Sequence, residues 1–378
     1  MDKLIAIENK KEIIHVITTL DIGGAEKQLC LLTEMQADRG FKVKVMYLKG
    51  KGSLIEAFAG QGVYIESKFA NRNLLFQILG LYCYFRKSKP YIIHAHLPRA
   101  ELISAISTFA QKKLRLICSK HNTEKFWPTG LRVISRLLSL FVQRSSCGTI
   151  FISNTVKKFI TMEVKECEVS RNTAVIHYGY RREASTITES NLTFPKSEVS
   201  EVAMVTVARL VPQKNLENLM AALYLAGNDQ WTLDIYGSGN LELNLRKLIT
   251  SLGLEGRVRL MGKTNEIHKV IRRYDLFVLP SKYEGLGLAL LEAIDCEIPV
   301  ATSSIDAFAE ILGEDYPYLF THDDTSSIIS IIQDLALHDK VDRSAFALAK
   351  LKKFDPHLME QKIIDFYISC RKDMQSVV

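Results

Sequence analysis

Two carboxylates stand eight residues apart in the stretch LPSKYEGLGLALLEA, Leu279 to Ala293. Glu284 sits beside glycines in what reads as a turn, and Glu292 inside what reads as a helix. An apolar run delivers the first carboxylate, then the backbone amides of a helix start, then the second. This arrangement serves either a solvated surface helix or a pair of acceptors aimed into a cleft. The amides around Gly285, Gly287 and Leu288 suit an anion, because the first N–H groups of a helix lack intrahelical partners and carry the positive end of its dipole. Glu292, two turns further in, is too deep for a phosphate but can accept from a diol.

Other residue types with chemistry follow the same pattern of strand end, loop and helix start. In VARLVPQKNLENLMAAL, Arg209 and Lys214 flank Pro212. Two cations there clamp a diphosphate or merely solvate a loop. Gly23-Gly24 precedes a helix near Ala25, and Gly237-Ser238-Gly239 follows a strand. Paired glycines let backbone approach a ligand closely, but a plain turn explains each equally well, and neither is GxGxxG. His94 and His96 alternate in IIHAHLPRA and share one face of a strand end. They offer two metal ligands, yet no third is evident, so they read as structural or acceptor-side groups. His121 lies just past a strand in LICSKHNTEKF.

The elements that must position these residues alternate along the chain. Short apolar runs (EIIHVITT, FKVKVMYL, YIIHAH, LRLICS, GTIFIS) are separated by helical-period segments at 25–39, 72–88, 99–111, 130–145 and 154–165. A polar, aperiodic segment runs to about Ser200. A second series follows (EVAMVTVA, WTLDIYG, RVRLMG, LFVLPS, IPVATS), with helices near 215–227, 240–252, 287–295 and 325–337. The expected fold class is α/β, with two Rossmann-like doubly wound domains of parallel sheet facing across a cleft. The expected boundaries are 1–178, a linker at 179–200, 201–354, and a C-terminal helix from 355 to 378 that packs back toward the first domain.

Bulk properties narrow the function. A chain of 378 residues fits two cores, and 47% hydrophobic with 24% charged residues fits a soluble globular protein. The longest apolar stretch, LLFQILGLYCYF, is too short for a membrane span. The N-terminus lacks the apolar core and cleavage site of a signal peptide. Seven scattered cysteines without CxxC spacing point to a reducing, cytoplasmic setting and away from zinc or a disulfide framework. A net charge of +7 suits an anionic ligand or membrane surface. No nucleic-acid module is evident, so nucleic acid is not an expected partner.

Taken in order, GGAEKQL, VARLVPQKNLENLMAAL, DIYGSGN, GRVRLMG and YDLFVLPSKYEGLGLALLEAIDCEIPVA resemble retaining glycosyltransferases of family 4 (glycosyl transferases group 1), which have the GT-B fold. The resemblance covers nearly the whole chain. It implies that Glu284 contacts the donor sugar and that Glu292 holds the ribose hydroxyls. Arg209 and Lys214 would stabilise charge on the leaving diphosphate, and His121 would lie near the reacting centre. Gly23, Gly24, Gly237, Gly239, Gly285, Gly287 and Leu288 would line the donor site with Glu292. The implied donor is a nucleotide-sugar, a UDP-sugar before GDP-mannose. The implied acceptor is a saccharide or lipid-linked sugar in surface polysaccharide or glycolipid (lipopolysaccharide-type) synthesis. The absence of a DxD motif leads to the expectation of no cofactor and no metal. Relatives working at the inner face of the cytoplasmic membrane also direct attention to Arg132, Arg136 and Arg144 on the amphipathic segment 128–146, which reads equally as a core-facing helix or as a surface for anionic lipid.

Some positions depart from the family pattern. Glu297 replaces a small residue or glycine before Pro299-Val300, SSIDAFAE replaces a glycine pair, and Tyr178-Gly179 replaces Asn-Gly. These bear on donor-sugar identity. A sugar-nucleotide epimerase of the same fold and a catalytically silent nucleotide-binding subunit are the alternative readings.

Overall fold

The apolar runs become parallel strands because each is buried on both faces and must be covered by the helix that follows it. In the computed structural model, residues 11–58, 60–123, 126, 132–164, 172–183, 202–227, 231–337 and 348–372 are described. The chain divides into two compact units. One comprises the chain to Gly179 together with Phe354 onward, and the other Tyr180–Lys353.

The first unit begins with β1 (Glu12–Thr19), α1 (Gly24–Asp38), β2 (Lys42–Lys49), α2 (Ile55–Phe58), β3 (Val63–Glu66), α3 (Leu74–Ser88) and β4 (Ile92–His96). It continues through α4 (Pro98–Thr108), β5 (Leu116–Lys120), α5 (Arg132–Ser145), β6 (Gly148–Phe151), α6 (Asn154–Val164) and β7 (Thr173–Val175). The second unit holds β8 (Val202–Val207), α7 (Leu216–Leu225), β9 (Trp231–Tyr236), α8 (Glu242–Ser251), β10 (Val258–Gly262), α9 (Ile267–Ile271) and β11 (Leu276–Leu279). It ends with α10 (Leu288–Asp295), β12 (Val300–Ser303), α11 (Asp306–Leu312), β13 (Leu319–Phe320) and α12 (Thr325–Leu337). The last helix, α13 (Pro356–Lys372), belongs to the first unit.

The first sheet runs β3-β2-β1-β4-β5-β6-β7 and the second β10-β9-β8-β11-β12-β13, with every pairing parallel. The order reverses between β1 and β4 and again between β8 and β11. Ligands of doubly wound sheets bind outside the strand C-termini at such points. β1 and β4 pair with His15 opposite His94 and Ile17 opposite His96. This register places three histidines side by side.

Helix α13 completes the first core. Met359, Ile363, Ile364, Phe366, Tyr367 and Cys370 pack with Ile13, Ile92, Ile117 and Ile150. The first residues of the polar segment at 179–200 are anchored within the second unit. The Asp295 carboxylate accepts from Tyr180 Oη (3.1 Å), Arg182 Nε (2.8 Å) and the Glu183 amide (3.0 Å). Positions 184–200 of that segment lie outside the described residues. Among the described residues no helix is long and apolar enough to cross a membrane.

Candidate active site

In the second unit, loops after β8, β9 and β11 build one constellation. The Ala208 and Leu210 amides donate to the Tyr236 and Ser238 carbonyls (2.9 and 3.0 Å), and the Leu241 amide donates back to the Leu210 carbonyl (3.0 Å). The two loops lie so close that a Cβ on Gly237 or Gly239 would collide with the Ala208 or Leu210 carbonyl oxygen. This pair of glycines is therefore demanded by backbone approach and is more than a plain turn.

The Pro212–Lys214 turn, closed by left-handed Asn215 (φ +56°), carries Lys214 inward. Its ammonium donates to Glu284 Oε1, and both residues are nine-tenths buried. Ser281 Oγ donates to the same oxygen (2.8 Å), and Gln213 Nε2 donates to Glu284 Oε2 (3.4 Å) and to the Tyr283 carbonyl (2.8 Å). Exposed Arg209 donates from Nη2 to Gln213 Oε1 (3.3 Å). Lys214 thus meets Glu284 directly, and Gln213 links Arg209 to the pair. Sequence reasoning missed both Gln213 and Ser281, since single Gln and Ser residues in loops carry no pattern. Lys214 is not a bare cation here: its charge is matched by Glu284.

Helix α10 begins at Gly287, whose φ of +106° suits glycine and whose added Cβ would stand 2.7 Å from the Phe308 ring. Leu290, Leu291, Ala293 and Ile294 are buried. Gly285, Leu288 and Glu292 are half-buried, and Leu288 and Glu292 lie one above the other on one face.

In the first unit, Gly23 caps α1 in extended geometry (φ −162°) and Gly24 opens the helix. Glu26, buried in the first turn, accepts from Thr19 Oγ1 (2.6 Å), and its carboxylate fills the space beside Gly23. A negative charge therefore already answers this helix dipole. Glu26 gave no signal beyond its place after the glycines.

Half-buried His121 belongs to a chain of otherwise buried polar groups. Gln36 Nε2 donates to Tyr367 Oη (3.4 Å), so its Oε1 accepts from His15 Nε2 (2.8 Å). Neutral His15 then accepts at Nδ1 from His96 Nε2 (3.0 Å), and His96 Nδ1 accepts from His121 Nε2 (3.0 Å). Tyr178 Oη donates to His121 Nδ1 (2.5 Å). On the other branch Tyr367 Oη donates to His94 Nδ1 (2.6 Å), and His94 Nε2 donates to Ser119 Oγ (2.7 Å). Burial disfavours each imidazolium. It holds His15 down to about 4, lowers His121 to about 3 with help from the Lys120 charge, and keeps His94 and His96 well below the usual range.

This cluster corrects the expectation of no cofactor and no metal. His15, His94 and His96 are all buried, and their ligand atoms lie within 4.8 Å of one another, a geometry compatible with metal coordination. The third ligand was invisible in the sequence because it comes from β1, 81 residues before His96. Its only trace there is a histidine interrupting the apolar run EIIHVITT.

Residues 22–180 match the family model described as glycosyltransferase family 4, and residues 191–349 match glycosyl transferases group 1. The chain is 26% identical over 274 residues, 68% of each chain, to the Escherichia coli UDP-Gal:α-D-GlcNAc-diphosphoundecaprenol α-1,3-galactosyltransferase. It is 35% identical over 111 residues to the Streptococcus gordonii UDP-N-acetylglucosamine–peptide N-acetylglucosaminyltransferase GtfA subunit, a match to 29% of this chain and 22% of that relative's length. Among solved structures, Anabaena HepE with UDP superposes with a TM-score of 0.80 at 20% identity, covering 95% of this chain and 100% of that one. The apo lipopolysaccharide outer core galactosyltransferase WaaB superposes with a TM-score of 0.71 at 15% identity, covering 95% and 99%. The architecture, two Rossmann-like α/β units with parallel sheets, is that of the GT-B fold.

Proposed function

The chain belongs to the glycosyltransferases, family 4 through its first half and group 1 through its second, and from that membership we propose that it moves a sugar from a UDP-sugar to a saccharide or lipid-linked acceptor with retention of configuration. The observation that carries the reading is the buried Lys214–Glu284 pair, tied to Arg209 through Gln213 at the sheet's switch point. Glu284 accepts from donor-sugar hydroxyls, and Lys214 and Arg209 stabilise charge on the departing diphosphate. Gly285, Gly287 and Leu288 present backbone to the phosphates, Glu292 accepts from the ribose diol, and Gly237 and Gly239 keep the neighbouring loop clear. His121, with Gly23 and Gly24, serves the sugar side.

In the proposed step the bond from the anomeric carbon to the phosphate oxygen breaks. The acceptor oxygen bonds to the same face, and its proton passes to the departing phosphate. UDP in HepE and the UDP-sugar of the E. coli relative favour uridine.

Contact with an anionic membrane surface belongs to the same proposal. Helix α5 buries Ser135, Ser139 and Gln143 and exposes Val133 (70%), Ile134 (45%) and Leu137 (59%), with Arg144 exposed on the same helix. Val142 is buried in the core and Leu138 and Phe141 pack against it, so the helix leaves Val133, Ile134 and Leu137 as a smaller outward apolar patch, which suits a lipid-linked acceptor's surroundings. The side chains of Leu131 and Arg132 lie outside the described residues.

Thermal unfolding with UDP, GDP, ADP and their sugar conjugates tests the donor. A ligand at a hundred times its dissociation constant adds about 2.7 kcal/mol, so UDP should stabilise wild type clearly and Glu292→Ala far less. No shift with any nucleotide would end the transfer reading. Turnover of the donor to a second sugar-nucleotide without acceptor would identify an epimerase instead.

A further inference from the structure

We propose that His15, His94 and His96 bind one transition-metal ion of the zinc class, with His15 Nδ1 and His96 Nε2 as two of its three nitrogen ligands. These two nitrogens face each other at 3.0 Å. Their outward partners are already in place: Gln36 Oε1 at 2.8 Å from His15 Nε2, and His121 Nε2 at 3.0 Å from His96 Nδ1. Metal-binding histidines show this arrangement, one nitrogen on the ion and the other bonded to an orienting group. Tetrahedral metal–nitrogen bonds of about 2.0–2.1 Å separate ligand atoms by roughly 3.4 Å. A few tenths of an ångström of opening therefore admits the ion in place of the proton now shared between the two rings.

His94 supplies the third nitrogen by releasing either Tyr367 or Ser119, each held by one hydrogen bond to its ring. A small cavity lined by His94, His96, Ser119, His121 and Tyr178 reaches the cluster and has room for a water as fourth ligand. An all-imidazole set suits zinc, cobalt, nickel or copper, whereas magnesium and calcium prefer oxygen.

Loading the site reverses the hydrogen bonds that reach His121. His96 and His121 each move their single proton from Nε2 to Nδ1, and Tyr178 accepts from His121 instead of donating to it. Every ring stays neutral, and no proton is gained or lost. The metal thereby sets which nitrogen of His121 is a donor. That consequence rests on the proposed role of His121 in transfer; the site itself does not.

The test is a titration of chelator-treated full-length protein with CoCl2, read by visible absorption and by X-ray absorption at the cobalt edge. Wild type should take up one equivalent with tetrahedral d–d bands and a nitrogen-rich first shell, and zinc should displace it. His15→Gln and His94→Gln should each weaken uptake at least about 100-fold, beyond the 10–100-fold typical of losing an outer partner. The absence of a saturable one-equivalent band in wild type, or an oxygen-only shell, overturns the proposal. So does unchanged uptake in both variants. Should a variant fail to fold, the wild-type spectra decide alone. UDP stabilisation measured on the same samples keeps the two proposals apart, because cobalt uptake without a nucleotide effect sinks only the transfer reading.

Discussion

Lys214 and Glu284 neutralise one another in a largely desolvated position, with Ser281 and Gln213 completing the carboxylate's hydrogen bonds. Removing one partner of such a pair leaves a buried charge uncompensated and costs about 3–5 kcal/mol. Removing a preorganised donor at a developing charge costs about 10²–10³ in rate. Lys214→Met is therefore expected to lower both stability and kcat, and Ser281→Ala, losing a single neutral donor, to cost about 1–2 kcal/mol. Urea unfolding and initial rates check this. If Lys214→Met turned over within twofold of wild type, its placement at the leaving group would be wrong. The pairing itself was not legible in sequence. The two residues come from loops after different strands, 70 positions apart, and only the β8–β11 neighbourhood brings them together.

At the scale of the element, α10 is held at both ends by left-handed backbone. Gly287 enters it with φ +106°, and Glu297 leaves it with φ +60°. The first residue suits that conformation, and the second pays for it. A β-carbon in the left-handed region costs roughly 1–2 kcal/mol. This explains physically why Glu297 looks out of place against the family pattern. Its ion pair with Arg182, at 3.6 Å and half exposed, offsets little. Glu297→Gly should raise stability by about 1 kcal/mol, a gain of about 2–4 °C in a unit of this size. A midpoint that stays put or falls would show the strain to be relieved elsewhere. Among interior strands, β11 was legible because it is apolar throughout, and β4 because Ile92, Ile93 and Ala95 keep it apolar apart from its two histidines. Strands β3 and β7 were not, because their half-buried residues give no apolar run.

For the whole molecule, the net charge of +7 and the exposed apolar side chains Val133, Ile134 and Leu137 of α5 act together. Vesicles containing anionic lipid are expected to retain the protein at low salt and to lose it as salt rises past the range where the screening length falls below about 10 Å. Leu137→Glu should abolish the retention without altering nucleotide stabilisation, as measured by co-sedimentation and thermal unfolding. Equal retention by neutral vesicles, or by the variant, would remove the membrane from the proposal. The helix was legible by its period, but which face it buries was not. Periodicity reports that two faces differ, and only packing reports that Ser135, Ser139, Val142 and Gln143 are turned inward while Val133, Ile134 and Leu137 are not.

By itself the sequence determined the two parallel sheets and the loops that end them. Strand-length apolar runs alternating with helical-period segments leave few other ways to bury so much apolar surface. It left Gly237 and Gly239 equally well explained by a plain turn, and only the packed loops show that backbone passes too close there for a β-carbon. The tertiary structure alone decided which side chains meet. Local pattern cannot encode that His15 would stand opposite His94, because that contact exists only once β4 crosses over to lie beside β1. The consequence is a buried three-histidine cluster where two strand histidines and no metal had been expected.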